Sequence, residues 1–313
     1  MTGRTGDSGQ TETMAETPPA SLFTPPFEVV RPRTQLFPAV FNSPHSGRVY
    51  PAEFLAVSRL DAHALRRSED CYVDELFADV ASLGCLLLKA HFPRAYLDVN
   101  REAYELDPTM FDEPLPGYVN ISSIRVAGGL GTIPRIVSDS EEIYRAPLRF
   151  PEAKARIQSL YVPYHRCLEA LVARTARIFG HALLIDCHSM PSSASGAMMG
   201  DLLPRPDFVL GDRYGSTCSP VVTDFVEELL TKRGYSVTRN KPYAGGYITQ
   251  NYGRPVSGIH ALQVEINRAL YMDEETLAHH GGYYRLAEDV LQVMRQLVTQ
   301  LPALLRPNRI AAE

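Results

Sequence analysis

The run from Leu183 to Ser192 constrains the fold of this chain more than any other stretch. It begins with three apolar residues and continues directly with Asp186, Cys187 and His188. A short, continuous apolar run favours a strand that is buried on both faces, as in a parallel sheet covered by helices. Ligands of open α/β sheets bind at the carboxyl ends of the strands, where the outgoing loops diverge. The run therefore predicts an α/β domain with His188 at the ligand-binding edge, although a histidine packed in the core would fit the same pattern.

Two other predicted strands also end in polar side chains. The apolar segment within residues 38–47 leads to His45 in a turn rich in Pro, Ser and Gly, and residues 95–99 lead into Asn100 and Arg101. Because the carboxyl ends of parallel strands meet at one edge, we expect these side chains to lie near His188.

The last predicted strand, residues 260–267, alternates strictly between apolar and polar residues. Alternation places Leu262, Val264 and Ile266 on one face and Gln263, Glu265 and Asn267 on the other. A solvated edge strand would show the same pattern, so a role for Glu265 needs further support.

A helix over residues 62–83 is predicted from the helical spacing of Val73, Phe77 and their apolar neighbours. Either Glu69 or Asp70 can then lie on the core-facing side of this helix. Two acids near the amino end of a helix are also favourable for its dipole alone. The remaining predicted elements are strands at 85–89, 208–211 and 235–239 and helices at 151–179, 219–233 and 273–301.

Three loops are expected beside the site. Residues 102–149 form a long Pro- and Gly-rich connection with Arg125 and Arg135, and arginines fixed in such loops can grip a carboxylate through two parallel hydrogen bonds. Residues 191–200 are typical of a flexible loop, and residues 242–249 carry two glycines that allow close backbone approach.

Composition excludes two classes of partner. The chain of 313 residues has 45% hydrophobic content, a net charge of -5 and a pI near 6.0. General nucleic-acid binding needs concentrated Lys and Arg, and a membrane span needs about 18 consecutive apolar residues; neither is present. Five cysteines without a CxxC pair, and an amino terminus without a secretory pattern, favour a reducing cytoplasm.

The domain organisation follows from the same composition. Residues 1–26 are rich in Thr, Gly, Ser, Glu and Pro and are predicted to be a disordered tail. Residues 27–305 are predicted to form a single α/β domain, and residues 306–313 a frayed tail.

Two histidines at strand ends and one carboxylate on an intervening helix form the three-ligand set of a catalytic zinc site. We expect His45, Asp70 and His188 to hold one Zn²⁺ at about 2.0 to 2.2 Å, with their nearest ring nitrogens within about 5 Å. Glu69 is the alternative ligand. Glu265 would be the proton shuttle, and Asn100 and Arg101 would hold a carboxylate of the substrate. The alternative is a protein that is not an enzyme: a carboxylate-binding module that has lost its metal.

The motifs together resemble those of the N-formylglutamate amidohydrolase family, over nearly the whole chain after residue 30. They are Ser43-Pro44-His45-Ser46-Gly47, Glu69-Asp70, Asp98-Val99-Asn100-Arg101, Gly131-Thr132-Ile133-Pro134-Arg135, Asp186-Cys187-His188-Ser189, Gly245-Gly246-Tyr247-Ile248-Thr249, Gln263-Val264-Glu265-Ile266-Asn267 and Tyr271-Met272-Asp273-Glu274. The resemblance implies a phosphorylase/hydrolase-like α/β fold shared with zinc carboxypeptidases and aspartoacylase, in which helices flank a mixed, mostly parallel sheet.

The resemblance also implies an activity, which is hydrolysis of N-formyl-L-glutamate to formate and glutamate in histidine degradation. Its order of site residues matches His45, Asp70, Asn100-Arg101, His188 and Glu265. The carboxypeptidase HxxE pair is absent because Arg48 follows His45 at the third position, so the acid must come from Glu69-Asp70, and Asp70 fits better.

A small N-acyl amino acid with two carboxylates is the expected substrate. The expected substrate-binding residues are Asn100, Arg101, Arg125, Arg135, Arg268, Gly246 and Thr249. A deacylase of another N-acyl amino acid remains the close alternative, and the oligomeric state is left open.

Overall fold

The computed structural model describes residues 19–137, 141–192 and 206–305, and a seven-stranded sheet runs through them. The strands are β1 Phe27–Val30, β2 Ala39–Ser43, β3 Leu86–Ala90, β4 Ala182–Met190, β5 Phe208–Gly211, β6 Val237–Arg239 and β7 Ile259–Asn267. Their order is β1-β3-β2-β4-β7-β5-β6. Only the β1/β3 and β5/β7 pairs in these residues are antiparallel. The prediction of a mixed, mostly parallel sheet is confirmed.

Helices cover both faces of the sheet. They are α1 Ala52–Val57, α2 Ala62–Arg66, α3 Val73–Leu76, α4 Ile124–Ala127, α5 Phe150–Arg156, α6 Val162–Phe179, α7 Pro220–Thr231, α8 Tyr247–Tyr252 and α9 Gly282–Leu304, with a π-helical segment, Ile157–Tyr161, joining α5 to α6. One apolar core lies between the sheet and α6, and includes Leu184 and Leu168. The second lies between the sheet and α7 and α9, and includes Ile185, Val226 and Val293.

The three central strands β2, β4 and β7 are parallel neighbours, and their register sets the site. Asn42 of β2 lies beside Asp186 of β4, and His188 of β4 lies beside Glu265 of β7. Side chains alternate along a strand, so Asp186 and His188 share the face of Leu184, which is the face that α6 covers. The prediction of a buried strand with His188 near its carboxyl end is therefore confirmed; the strand continues to Met190 and lies in the middle of the sheet.

The helix predicted over residues 62–83 is wrong in its middle. The structure has α2, then a turn, then α3, and Tyr72 at the start of α3 adopts a left-handed conformation with φ 64°. The Asp70 N–H donates to the His45 carbonyl at 3.0 Å, and Ser46 Oγ donates to the Asp70 carbonyl at 3.0 Å. These bonds to the end of β2 replace helical bonds, so Asp70 reaches the site from a turn.

Two further segments differ from their predictions. Residues 95–99 form buried turns rather than a strand, because the Asp98 N–H donates to the Thr132 carbonyl at 2.8 Å and not to a neighbouring strand. The last helix begins at Gly282, nine residues after the predicted start, because residues 273–281 form a bridge and turns.

The predicted amino-terminal tail is too long. Pro19–Leu22 forms a 3-10 turn, and Phe23 is buried against the rings of Phe92 and Tyr96. The burial of Phe23 contributes to the ordering of residues 19–26, which composition assigned to disorder. The rest of that tail, the carboxyl-terminal tail and residues 193–200 of the predicted flexible loop lie outside the described residues. None of the described helices is long and apolar enough to cross a membrane.

Candidate active site

His45, Asp70 and His188 converge at the carboxyl ends of β2 and β4. His45 Nδ1 lies 3.4 Å from Asp70 Oδ2, and His188 Nδ1 lies 2.9 Å from the same oxygen. The candidate ligand atoms of the three residues all lie within 4.8 Å of one another, and all three side chains are buried. The predicted convergence is confirmed, and it satisfies the limit of about 5 Å between ring nitrogens.

Each histidine directs its other ring nitrogen to a buried carboxylate. His45 Nε2 lies 2.8 Å from Asp98 Oδ1, and His188 Nε2 lies 2.9 Å from Asp186 Oδ2. Metal-bound histidines commonly make such a contact, because it fixes the ring and raises its basicity. His45 Nδ1 is buried and has no hydrogen-bond partner among the described residues. Two ring nitrogens and a carboxylate oxygen that face one another in this way fit a divalent cation of the zinc type.

The charges of the cluster support one another. Burial opposes ionisation of Asp70, but the hydrogen bond from His188 and the nearby ring of His45, whose Nδ1 lies 3.4 Å away, outweigh it and hold the pKa of Asp70 well below its usual range. Burial opposes protonation of His188, but the Asp186 and Asp70 carboxylates hold its pKa well above the usual value. Arg268 Nη2 and Ser189 Oγ bind the other Asp70 oxygen at 3.3 and 3.2 Å. Asp70 is therefore a fixed, ionised carboxylate.

Glu69, the alternative ligand, faces away from both histidines. Its carboxylate accepts hydrogen bonds from Arg66 Nε at 3.1 Å and from Cys71 Sγ at 3.2 Å. Successive residues of a turn direct their side chains apart, so only Asp70 reaches the cluster. The structure thus favours Asp70 over Glu69 as the acid of the site.

Glu265 lines the same cavity and is held by an amide. Gln263 Oε1 accepts the Gly246 N–H at 2.7 Å, so Gln263 Nε2 is the donor to Glu265 Oε1 at 2.8 Å. Burial raises the pKa of Glu265 to about 7; the positive charge of His188 lowers it, and Asp70 raises it further. A buried carboxylate with a pKa near neutrality can accept and return a proton.

Asn100 presents its amide nitrogen to the site. Its Oδ1 accepts the Ile248 N–H at 2.8 Å, which leaves Nδ2 facing inward, 3.3 Å from His188 Nε2. Gly246 makes this approach possible, because a Cβ at that position would lie 2.3 Å from Asn100 Nδ2. Gly246 therefore provides space for Asn100. Thr249 does not line the cavity; its Oγ1 donates to the Gly246 carbonyl at 3.0 Å, so the prediction that it contacts substrate is not supported.

The histidines and Glu265 open into a cavity of about 530 Å³. Five arginines line it: Arg67, Arg94, Arg101, Arg125 and Arg268. Arg101 donates Nε to the Leu130 carbonyl at 2.7 Å and Nη1 to the Asn100 carbonyl at 2.8 Å, so it is rigidly placed. Arg125 has a looser contact, 3.8 Å from Glu105 Oε2.

Two predicted arginines have other roles in the structure. Arg135 lies outside the cavity, because its Nε binds Asp107 Oδ2 at 2.8 Å and its Nη1 lies 3.4 Å from Glu142 Oε1. Arg268 lines the cavity, but its donors are directed to Ser189, to Asp70 and to the carbonyls of residues 67 and 69. It holds Asp70 rather than offering a free fork to a ligand.

Sequence reasoning missed several residues of the site. Arg94 lines the cavity and donates Nε to Asp98 Oδ2 at 3.0 Å, and Tyr243 lines it from the loop before α8. Asp98, Asp186 and Gln263 stood in the motifs without an assigned role. Asp186 could have been found, because a residue two before His188 on a strand shares its face. Arg94 gave no such signal, since it belongs to a turn.

Comparisons with known proteins agree with the motifs. A family model described as N-formylglutamate amidohydrolase matches residues 37–272. The N-formylglutamate deformylase of Pseudomonas aeruginosa is 32% identical over 272 residues, which cover 85% of this chain and 93% of that protein. The N-formylglutamate deformylase of Pseudomonas putida is 29% identical over 238 residues, covering 75% and 81% respectively.

A solved structure gives the same result. The crystal structure of N-formylglutamate amidohydrolase from Ralstonia eutropha JMP134 has a TM-score of 0.82 and 36% sequence identity, and the match covers 88% of this chain and 99% of that chain. Since the family match spans most of the chain and a relative above 30% identity covers most of it as well, the chain belongs to the N-formylglutamate amidohydrolase family.

Proposed function

We propose that this protein is a zinc-dependent amidohydrolase that cleaves N-formyl-L-glutamate to formate and glutamate. The observation that carries the proposal is the convergence of His45, Asp70 and His188 beside Glu265 in a cavity rich in arginine. The names of the relatives support the substrate, because two of them are N-formylglutamate deformylases. The donor set supports the metal.

The metal ligands would be His45 Nδ1, His188 Nδ1 and Asp70 Oδ2, since these atoms face one another. Asp98 and Asp186 would hold the two rings, and Arg268 would hold Asp70. A zinc ion bound there would act as a Lewis acid that polarises the formyl carbonyl and acidifies water. Three protein ligands are typical of catalytic rather than structural zinc.

Glu265 would carry the proton. Amide hydrolysis requires that the attacking water lose a proton and that the leaving nitrogen gain one, and one carboxylate can do both in sequence. Glu265 adjoins His188 in the sheet register and is oriented by Gln263. With a pKa raised to about 7, its carboxylate is basic enough to accept the proton and its acid form strong enough to return it.

The arginines and Asn100 would bind the substrate. Arg101 is fixed by two backbone carbonyls and by Asp98, whose Oδ2 lies 3.4 Å from its Nη2; the N–H groups of Nη1 and Nη2 beyond these contacts suit a substrate carboxylate. Arg125, whose contact to Glu105 is long, is suited to the second carboxylate. Arg94 lies beside Asp98, and the charge of Glu265 helps to raise the pKa of its guanidinium, so the two side chains are near each other. We therefore assign Arg94 to stabilising the charge that develops on the oxygen of the scissile carbonyl.

The decisive experiment is activity of the purified protein, assayed with and without chelator on a panel of N-acyl amino acids. We expect N-formyl-L-glutamate to have the highest kcat/KM, with activity lost on chelation and restored by Zn²⁺. Preference for another acyl group would instead identify a deacylase of different specificity. Tight dicarboxylate binding with no bound metal and no turnover would identify a carboxylate-binding module.

The setting of the enzyme is part of the proposal. All five cysteines are free thiols, which is compatible with a reducing cytoplasm. Release of glutamate from its N-formyl derivative would place the reaction in histidine degradation, as the family resemblance implies.

A further inference from the structure

The helix that covers the site side of the sheet contains a widened turn. Residues Ile157–Tyr161 are π-helical between α5 and α6. Such segments are rare in proteins, and those that occur often lie at functional sites. Tyr161 and His165 are four positions apart along this helix, and the centroids of their rings are 4.2 Å apart. Neither residue lines the cavity of the site.

Both side chains bind main-chain carbonyls on either side of Asn100. Tyr161 OH donates to the Arg101 carbonyl at 2.7 Å, and His165 Nε2 lies 2.8 Å from the Val99 carbonyl. Because a carbonyl can only accept, His165 Nε2 must carry the hydrogen. The two bonds therefore hold the backbone of residues 99–101 from the side away from the cavity. We call these residues the Asn100 turn.

A third contact closes the network. Tyr252 OH, at the end of α8, lies 2.9 Å from His165 Nδ1 and 3.1 Å from the His165 carbonyl, two acceptors that share its one hydrogen. At the start of the same helix, the Ile248 N–H donates to Asn100 Oδ1 at 2.8 Å. The backbone and the side chain of Asn100 are thus fixed by two helices that are themselves joined through His165. Burial lowers the pKa of His165 to about 4, so the ring stays neutral and keeps this pattern at neutral pH.

We propose that Tyr161 and His165 are positioning residues for catalysis, which hold the Asn100 turn so that Asn100 Nδ2 and the Arg101 guanidinium meet the substrate. The proposal rests on the proposed function of the site. Arg101 is especially dependent on this turn, since its own Nη1 donates to the Asn100 carbonyl. A small shift of the turn therefore moves both donor groups together, and misplacement by about 1 Å can reduce rates by about 100-fold.

Four single variants test the proposal by kinetics. Tyr161→Phe removes one hydroxyl and keeps the ring against His165; we expect kcat/KM on N-formyl-L-glutamate to fall about tenfold, mainly through KM. His165→Leu should lose at least as much, and His165→Gln should recover most of the loss because its amide can still donate to the Val99 carbonyl. Tyr235→Phe is the matched control, since it removes a hydroxyl bonded to Asp289 at 2.8 Å, away from the cavity. Zinc content should be equal in all four.

Amide hydrogen exchange tests the same proposal without substrate. In Tyr161→Phe and His165→Leu, a peptide spanning residues 94–106 should exchange faster than in wild type, while peptides outside this turn and outside helices α6 and α8 stay unchanged. Three results would each overturn the positioning role: unchanged exchange in this peptide, no recovery of activity or of exchange protection by His165→Gln, or a loss of activity that merely follows a loss of zinc. An inactive wild-type enzyme would refute the proposed function, and the exchange result alone would then decide this inference.

Discussion

Replacing Glu265 by glutamine separates proton transfer from metal binding and folding. Glutamine has the same shape, and its side-chain oxygen can still accept the bond that Gln263 Nε2 makes to Glu265 Oε1 at 2.8 Å. The ligand candidates His45, Asp70 and His188 are untouched. We therefore expect zinc content near that of wild type and a kcat lower by about 10²- to 10⁴-fold, which is about 3 to 5 kcal/mol of activation free energy.

The same substitution has a second, independent consequence for the metal-free protein. Burial raises the folded-state pKa of Glu265 to about 7 from an ordinary value of 4.5. A raised folded-state pKa means that the folded protein binds the proton more tightly than the unfolded chain does. The contribution of Glu265 to stability is thus fully present below pH 4.5 and is lost as the pH rises through about 7. The full loss corresponds to about 3 kcal/mol.

The assays follow directly. Formate release gives kcat, elemental analysis gives zinc content, and denaturant unfolding at pH 5 and pH 8 after chelation gives stability. The unfolding free energy of the variant relative to that of wild type should rise by up to about 3 kcal/mol between these pH values. A variant that retains zinc and nearly full kcat would refute the proton-transfer role, and a pH-independent difference in stability would refute the raised pKa.

Other substitutions test the remaining parts of the site. His188→Ala should reduce zinc content to near zero and abolish activity, as measured by elemental analysis of protein purified without chelator. Arg101→Lys keeps the charge but loses the planar fork, so KM should rise about tenfold or more; unchanged KM and kcat would make Arg101 purely structural. Gly246→Ala would place a Cβ 2.3 Å from Asn100 Nδ2, so activity should fall by about tenfold or more with zinc retained. Arg135→Ala should leave KM unchanged, because Arg135 faces Asp107 outside the cavity; a raised KM would return it to the substrate site.

The sequence predicted the central part of the fold because that part depends on short-range patterns. Continuous apolar runs identified β2 and β4, and alternation identified both faces of β7. His45 lies just after β2 and His188 lies near the carboxyl end of β4, so their convergence could be expected from the strand ends alone. The stretch predicted as a long loop contains a 3-10 turn and the short helix α4, which carries Arg125. Whether Arg125 or Arg135 faces the cavity depends on the path of the backbone through this stretch. Helical spacing carries no information about such a path.

The helix over residues 62–83 failed for a related reason. Its apolar spacing is helical, yet the Asp70 N–H donates to the His45 carbonyl, and Ser46 Oγ donates to the Asp70 carbonyl and accepts the Asp74 N–H. The backbone here therefore bonds to the segment after β2 instead of forming another helical turn. Tertiary contacts routinely override weak local preference in this way. The failure coincides with the acid of the site, and departures from local rules are expected where a side chain must reach a functional position.

Alternation in β7 shows how far a pattern can define chemistry. It correctly placed Gln263 and Glu265 on one face, but a solvent-exposed edge strand would show the same alternating pattern. The difference lies in distant segments: the loop before α8, with Gly246 bonded to Gln263, and the strands β4 and β5 on either side. These segments bury Glu265 and raise its pKa to about 7, whereas a carboxylate on an open edge would keep an ordinary value. The sequence thus identifies the carboxylate that could act as the base, but only the fold shows the buried environment that raises its pKa.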